Sequence, residues 1–261
     1  MKKLGLVLGS GGSRGVAHIG FIKAMVEEGI TPSVITGSSM GALVGACFAL
    51  GLKPDYMINE ITKLKMSDLL DISINPLRNL AILRSKKVYK RLEKYFGNKT
   101  FADVKIPYNC VAVDVHTGKA VTFDPHEKIV DGVVASCCIP GVFKPVVRGE
   151  QMLVDGGIQC RLPIDEARSM GAEVIVAVDV MGELRPNNKK YNILSVMFRT
   201  ADIYDTELTK IKLLHQKPDL YLLPKLGDMN QYKFKGISEA IEQGYELGKE
   251  YAEKIKELLK N

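Results

Sequence analysis

Short apolar runs alternate along this chain with longer stretches whose apolar residues recur at helical spacing. The first run, Leu4–Leu8, ends in a glycine-rich turn, and Val16–Glu28 then shows helical periodicity until Gly29 ends it. Runs that are apolar throughout are typical of strands buried on both faces of a sheet. The alternation therefore predicts a single α/β domain over residues 1–261, with a mainly parallel sheet covered by helices on both faces.

The same alternation continues to the end of the chain. The further predicted strands are Ser33–Thr36, Asn109–Val113, Glu173–Val178 and Leu220–Leu223. The further predicted helices are Gly41–Leu50, Ile129–Ala135, Pro163–Met170, Asn192–Leu214 and Ser238–Leu259. In sheets of this kind, the loops at the carboxyl ends of the strands build the active site, so functional residues are expected there.

The composition is that of a folded globular protein. Hydrophobic residues make up 46% and charged residues 25% of the chain. The five cysteines contain no C-x-x-C pair, which favours free thiols in a reducing compartment over a zinc site. The amino-terminal apolar stretch breaks at Gly9, too early for a signal peptide, and no run is long enough to span a bilayer. We expect a cytoplasmic protein, with any membrane contact peripheral to the inner face of the membrane.

The charge balance leaves several partners open. The net charge is +6, which is compatible with an anionic membrane surface or an acidic substrate but requires neither. We expect no nucleic-acid partner.

Two segments match G-x-S-x-G, a pattern typical of a tight strand-to-helix turn that exposes the serine hydroxyl. They are Gly11–Gly15 and Gly37–Gly41, so Ser13 and Ser39 are rival nucleophiles. Ser39 lies three residues after the last apolar position of its strand, directly at a helix start, as the turn requires. Ser13 lies five residues after Leu8, inside a loop that glycines have already opened. The spacing favours Ser39.

The loop at Gly11–Gly15 has three candidate roles: a plain turn, a phosphate site or an oxyanion hole. A dinucleotide-binding G-x-G-x-x-G counted from Gly9 would need glycine where Arg14 stands, and no convincing acidic residue follows at the usual distance. Consecutive small residues that expose N–H groups, with the positive charge of Arg14 nearby, suit an oxyanion hole better. Nucleotide binding remains the less favoured alternative.

A serine nucleophile needs a base, and the histidines are poor candidates. They are His18, His116, His126 and His215. The first falls within an apolar helix and looks like a core histidine, the next two flank a predicted hairpin at Lys119–Phe123, and the last ends a helix. An α/β-hydrolase would also place its nucleophile much later in the chain.

Aspartates at strand ends are the remaining candidates for the base. They are Asp114, Asp155 and Asp179. Asp155 differs from the others because Gly156 and Gly157 follow it, and these would let its carboxylate approach another segment closely. A hairpin turn is an equally good interpretation of Asp-Gly-Gly.

Four segments, taken in order, resemble the successive motifs of the patatin-like phospholipase family. They are Gly11–Gly20 (GGSRGVAHIG), Gly37–Ala42 (GSSMGA), Ala135–Gly141 (ASCCIPG) and Asp155–Gly157 (DGG). The short distance between the first two also matches, and the resemblance covers roughly residues 4–180. One position departs from the family pattern, because Ser10 stands where the family loop usually opens with glycine.

The resemblance implies a three-layer α/β/α fold, a catalytic dyad of Ser39 and Asp155, and an oxyanion hole around Gly11, Gly12 and Ser13. The loop positions that would support substrate or dyad are Ser10, Arg14, Gly15, Gly37, Gly41, Gly156 and Gly157. It also implies hydrolysis of carboxylic esters in lipids, of the phospholipase A, lysophospholipase or acylglycerol lipase type, without metal or other cofactor. An acyltransferase with the same dyad is the alternative.

The mechanism sets two further expectations. An aspartate with an ordinary pKa near 3.9 is a weak base for an alcohol, so Asp155 should be buried, which raises its pKa. A nearby guanidinium would oppose this effect, so Arg14 should face loop carbonyls or the substrate.

The segment Leu64–Lys87 is unusual because it mixes many apolar residues with Arg78, Arg84, Lys86 and Lys87 and breaks at Asn75–Pro76. One hypothesis is a mobile, lipid-facing flap beside the active site. The competing interpretation is an irregular segment packed on the sheet or buried in a homodimer contact.

Overall fold

The structure, a computed structural model, describes residues 1–64, 80–83, 86–184, 186, 192–231 and 235–260. The strands are β1 (Leu4–Leu8), β2 (Val34–Ser38), β3 (Ala81–Leu83), β4 (Tyr108–Asp114), β5 (Lys119–Val121), β6 (Gly141–Phe143), β7 (Val146–Arg148), β8 (Gln151–Asp155), β9 (Val174–Val178) and β10 (Leu220–Leu222). The α-helices are α1 (Ala17–Glu27), α2 (Met40–Ala49), α3 (Pro54–Thr62), α4 (Lys86–Phe96), α5 (Ile129–Ser136), α6 (Ile164–Ser169), α7 (Ile193–His215) and α8 (Ile237–Lys260). Short 3-10 helices cover Gly12–Val16 and Gly156–Ile158.

Seven strands of the main sheet follow the order β10-β9-β1-β2-β4-β8-β7, and β5 also pairs with β4. The five strands from β10 to β4 are parallel, whereas β5 and β8 run antiparallel to β4. β3 and β6 form a separate parallel pair. The mainly parallel sheet is confirmed, and the antiparallel strands extend it at one edge.

Alternate residues of the central strands pack on opposite sides of the sheet. Leu4, Leu6 and Leu8 of β1 belong to the large core cluster that also contains residues of α1, α2, α5 and α8. Val7 belongs to a second cluster with residues of α6, against which Leu213 of α7 packs. The helices therefore form a layer on each side of the sheet, which confirms the three-layer α/β/α fold.

The register of three strands brings the two candidate catalytic residues together. Ser38, the last residue of β2, is level with Val111 of β4. The next residue of β4, Ala112, is paired with Asp155, the last residue of the antiparallel strand β8. Ser39 and Asp155 therefore leave their strands at the same height in the sheet, on either side of β4.

Every predicted strand and helix is present, with ends that differ by at most two residues. The hairpin expected at Lys119–Phe123 is formed by β4 and β5, so that segment supplies only its second strand. The strands β3, β6 and β7 were not predicted, and of β8 only its end at Asp155 was. No helix in the described ranges has the length and apolar content needed to cross a membrane. Most of Leu64–Lys87 lies outside the described residues, so the flap hypothesis and its alternative both stay predictions, as do the single domain and the cytoplasmic location.

Candidate active site

Ser39 occupies the tight turn between β2 and α2 in a strained backbone conformation. Its φ is 53° and its ψ is −121°, a region that non-glycine residues adopt only at an energetic cost. The glycines on either side make this turn possible. A Cβ on Gly41 would lie 2.1 Å from the carbonyl oxygen of Leu8, and one on Gly37 would lie 2.5 Å from that of Gly41. The geometry is that of a nucleophile elbow.

The Ser39 hydroxyl donates a hydrogen bond to the Asp155 carboxylate, with 2.6 Å between Oγ and Oδ2. The other carboxylate oxygen, Oδ1, accepts from the amide of Gly157 at 2.8 Å. A Cβ on Gly156 would lie 2.3 Å from the carbonyl oxygen of Val111, so any larger residue at this position would clash with the backbone of β4. Asp-Gly-Gly leads from β8 into a 3-10 helix, and its interpretation as a hairpin turn is wrong.

Burial changes the acidity of the Asp155 carboxyl group. The side chain is 6% exposed, and loss of hydration raises its pKa from 3.8 to about 7 because the charged form is disfavoured. The hydrogen bonds from Ser39 and from the Gly157 amide oppose this rise, and the negative charge of Asp205 adds to it. Asp155 is therefore a much better base near neutral pH than an ordinary aspartate.

The segment Ala135–Gly141 holds the backbone around both residues. The Ser39 amide donates to Ser136 Oγ at 2.9 Å, and Cys137 Sγ donates to the Ser39 carbonyl oxygen at 3.2 Å. The Asp155 amide donates to the carbonyl oxygen of Cys138 at 2.9 Å. These contacts explain the third family-like motif, whose individual roles we did not predict from the sequence.

The glycine loop lies beside Ser39 because Gly15 packs on the start of α2, where a Cβ would meet Met40 at 2.5 Å. Among the described residues, none accepts a hydrogen bond from the amide of Gly11 or Gly12. The Ser13 amide, in contrast, donates to the carbonyl oxygen of Gln231 at 2.9 Å. The expectation that Ser13 contributes to an oxyanion hole is therefore wrong, because its N–H group is already occupied.

Arg14 and Ser10 connect the glycine loop to neighbouring segments through hydrogen bonds. The guanidinium of Arg14 donates to the carbonyl oxygens of Val180 at 2.6 Å and Met229 at 3.1 Å, which belong to two other segments and not to the glycine loop itself. The Ser10 amide donates to the carbonyl oxygen of Arg161 at 3.1 Å. The Ser10 side chain also packs on the Asp-Gly-Gly turn, since a Cβ on Gly157 would lie 2.7 Å from its hydroxyl oxygen.

The rival bases have structural roles. Asp114 accepts hydrogen bonds from the Thr117 hydroxyl and the His116 amide and so closes a turn. His18 is fully buried, and its Nε2 bonds the carbonyl oxygen of Gly9 at 2.8 Å. Burial lowers its pKa to about 4, and the prediction of a core histidine is confirmed. Across the described residues, no group of three His, Cys, Asp or Glu side chains is placed to hold a metal ion.

Arg161 is a buried cation that the sequence analysis missed. It is 2% exposed, and its guanidinium donates to Asp205 at 2.6 and 2.8 Å, to Asp179 at 3.0 Å and to Thr206 at 3.1 Å. This network ties the segment after Asp155 to β9 and α7. The polar residues of α7 at helical spacing were the signal that could have revealed it.

We expect Arg161→Met to lower the free energy of unfolding by about 3–5 kcal/mol, because two carboxylates would stay buried without their cation. Arg168→Met is a matched control. Arg168 is 41% exposed and lies 3.9 Å from Asp219, so its loss should cost at most about 1 kcal/mol. Urea unfolding of both variants measures the difference, and equal small losses would contradict the structural role of Arg161.

A cavity of about 360 Å³ extends from Ser39 into the helical layer. Gly12 and Met40 border it near the hydroxyl, and most of the remaining wall is apolar. The apolar wall includes Val44, Leu52, Ile61, Leu92, Phe143 and Phe198. The few polar groups include Tyr95, whose hydroxyl donates to Glu60. A cavity of this size and lining suits a hydrocarbon chain bound next to Ser39.

Comparison with known proteins places the chain in a family. The model of the patatin-like phospholipase family matches residues 6–168. An uncharacterized NTE family protein of Mycobacterium bovis is 36% identical over 182 residues, which are 69% of this chain and 49% of that protein. Lysophospholipase NTE1 of Coccidioides immitis is 27% identical in an alignment of 282 positions, gaps included, that covers 98% of this chain and 18% of that protein. The chain thus spans about half the length of the first relative and less than a fifth of the second.

A solved structure shows the same fold at low sequence identity. The crystal structure of VipD from Legionella pneumophila aligns over 97% of this chain and 67% of that chain, with a TM-score of 0.63 and 14% identity. The family model covers well over half of the residues and includes the elbow, the glycine loop and Asp155. The chain therefore belongs to the patatin-like phospholipase family.

Proposed function

We propose that this protein is a serine hydrolase that cleaves carboxylic ester bonds of lipids through an acyl-enzyme on Ser39. The observation that carries the proposal is the 2.6 Å hydrogen bond from the Ser39 hydroxyl to Asp155, at one end of an apolar cavity. A nucleophile within hydrogen-bonding distance of a base is the arrangement that acyl transfer requires.

In the proposed mechanism, Asp155 accepts the proton of Ser39 as Oγ attacks the ester carbonyl carbon. The negative charge that develops on the carbonyl oxygen is stabilised by the amides of Gly11 and Gly12 and by the amino terminus of α2, which begins at Met40. The alcohol part of the ester leaves with a proton from Asp155. Asp155 then removes a proton from a water molecule, which attacks the acyl carbon. The bond from that carbon to Ser39 Oγ breaks, Oγ receives the proton from Asp155, and the acid is released.

The cavity and the family support the proposed substrate class. The apolar wall favours an acyl chain, and family membership supports a phospholipid, lysophospholipid or acylglycerol as its source. The name of the Coccidioides relative supports lysophospholipid in particular. The same dyad would serve an acyltransferase in which an alcohol replaces water.

A fluorophosphonate probe tests the class and the nucleophile together. We expect the probe to modify one peptide, the one that contains Ser39, and to do so equally well with EDTA present. Incubation with a lysophospholipid should then release free fatty acid in an amount equal to the glycerophospho-alcohol formed. Acyl groups recovered on an added alcohol in place of free acid would identify an acyltransferase, and no labelling of Ser39 would contradict the proposal.

A further inference from the structure

Helix α7 has apolar side chains on its solvent face. Seven of its large hydrophobic residues are exposed, and Ile193, Met197, Tyr204 and Leu214 are each more than 60% exposed. The others are Val196, Ile203 and Ile211. Helix α8 is the natural comparison because it also covers the sheet from outside. Every exposed residue of α8 other than Ser238 is a glutamate or a lysine, as is usual for a helix that faces water.

The inward face of α7 holds the helix in this orientation. Asp205 and Thr206 bond Arg161 in the core, and Asp202 accepts a hydrogen bond from Gln231 at 2.8 Å. Turning the helix to bury its apolar face would break these contacts and would leave Arg161 buried without Asp205. The exposed apolar side chains are therefore a property of the fold, and a run of them along one helix indicates an interaction site.

The exposed charges of α7 lie only in its second half. Between Asn192 and Tyr204 no exposed residue is charged, whereas Glu207 and Lys210 form an ion pair of 2.9 Å further along. The half without exposed charges, in which Arg199 and Asp202 are half-buried, is also the part of the helix that reaches the cavity, since Phe198 lines it.

A second element repeats this arrangement. In β3, Leu83 lines the cavity, while Ile82 is 40% and Leu80 before the strand 57% exposed. Two separate elements thus combine a side chain in the cavity wall with apolar side chains in solvent. We call the exposed set Leu80, Ile82, Ile193, Val196 and Met197 the cavity-side patch.

We propose that the cavity-side patch docks on the surface of a lipid bilayer and thereby brings the cavity to its substrate. The inference rests on the proposed function, since a lipid must pass from a bilayer to Ser39. Shallow insertion of an apolar helix face is a known way to bind an interface, and Tyr204, with an apolar ring and a polar hydroxyl, lies just before the half with exposed charges. A dimer contact along α7 would not depend on how near the apolar residues are to the cavity. A second copy of this chain would therefore cover Ile211 and Leu214 as well as the cavity-side patch.

Vesicle binding tests the proposal in the Ser39→Ala background, so that the lipid is not consumed. The probe is large vesicles of phosphatidylcholine and phosphatidylglycerol in equal parts, and the readout is co-sedimentation. Val196→Glu with Met197→Glu should weaken binding by about tenfold or more, because two inserted side chains become charged. Ile211→Glu with Leu214→Glu is the matched control, with the same change in charge on the same helix, and should change binding by less than about twofold.

Other results would overturn the proposal. They are equal weakening by both pairs, absence of binding by the parent protein, or a stable dimer in solution that Val196→Glu with Met197→Glu dissociates. If the glutamate pair lowers the unfolding temperature, Val196→Ser with Met197→Ser removes the apolar area without adding charge. In the active protein, both pairs should keep the rate on a short soluble ester, so a failure to bind lipid is distinguishable from a failure of the dyad.

Discussion

Ser39→Ala is expected to lower the rate of ester hydrolysis by about 10⁶-fold, the size of effect seen when an enzyme loses the nucleophile of such a unit. The variant keeps the turn, because alanine is as small as serine and meets the same backbone strain at φ 53°. It loses one hydrogen bond, to Asp155, so the free energy of unfolding should fall by no more than about 1.5 kcal/mol. Hydrolysis of a short soluble ester and urea unfolding measure the two quantities.

Ser13→Ala is the matched control, since Ser13 lies in the other G-x-S-x-G segment and also borders the cavity. Its hydroxyl donates to the carbonyl oxygen of Asn230 at 3.1 Å and does not reach the dyad. Its rate should therefore stay within about tenfold of the parent, because the contact with Asn230 is an ordinary hydrogen bond away from the dyad. A folded Ser13→Ala protein without activity, beside an active Ser39→Ala protein, would reverse the assignment.

Asp155→Asn is expected to lower kcat/KM by about 10²–10⁴-fold, the usual worth of general-base catalysis. Asparagine has the same shape, can still accept from the Gly157 amide and can donate to Ser39, but it cannot take a proton. In the parent protein, kcat/KM should rise with pH and level off above about 7, because the pKa of Asp155 is raised to about 7 and only its carboxylate is a base. A rate that is constant between about pH 5 and 8 would contradict this role.

Stability provides the control for Asp155→Asn. The native carboxyl holds its proton up to a pKa of about 7, whereas in the unfolded chain it loses the proton near about 3.9. The native state therefore binds more protons between these values, and the parent protein loses stability as pH rises through this window, by up to about 1.4 kcal/mol per pH unit. Neutral asparagine has no such loss, so the variant should be at least as stable as the parent at pH 8. A variant that is inactive and unstable would show a structural role instead.

Much of the fold could be predicted because it is encoded locally. The strand β1, the glycines after it, and the turn at Gly37–Gly41 follow from short-range patterns and from the steric needs of tight turns. The strands β6 and β7 were not predicted, because each has three residues and is too short to show a recognisable pattern of apolar residues. Asp155 could be singled out from the two glycines behind it, but a hairpin turn fitted those glycines equally well.

The sequence by itself determined the alternation of strands and helices, the tight turn that carries Ser39 and the family to which the chain belongs. Only the tertiary structure decided that Asp155 meets Ser39, because residues 116 positions apart are joined through the register of β2, β4 and β8. It also decided that the Ser13 amide is occupied and that the apolar face of α7 points outward. The spacing of apolar residues along a helix or strand shows which side chains share a face. It does not show what that face packs against, because this depends on residues far away in the sequence, such as Gln231 and Arg161.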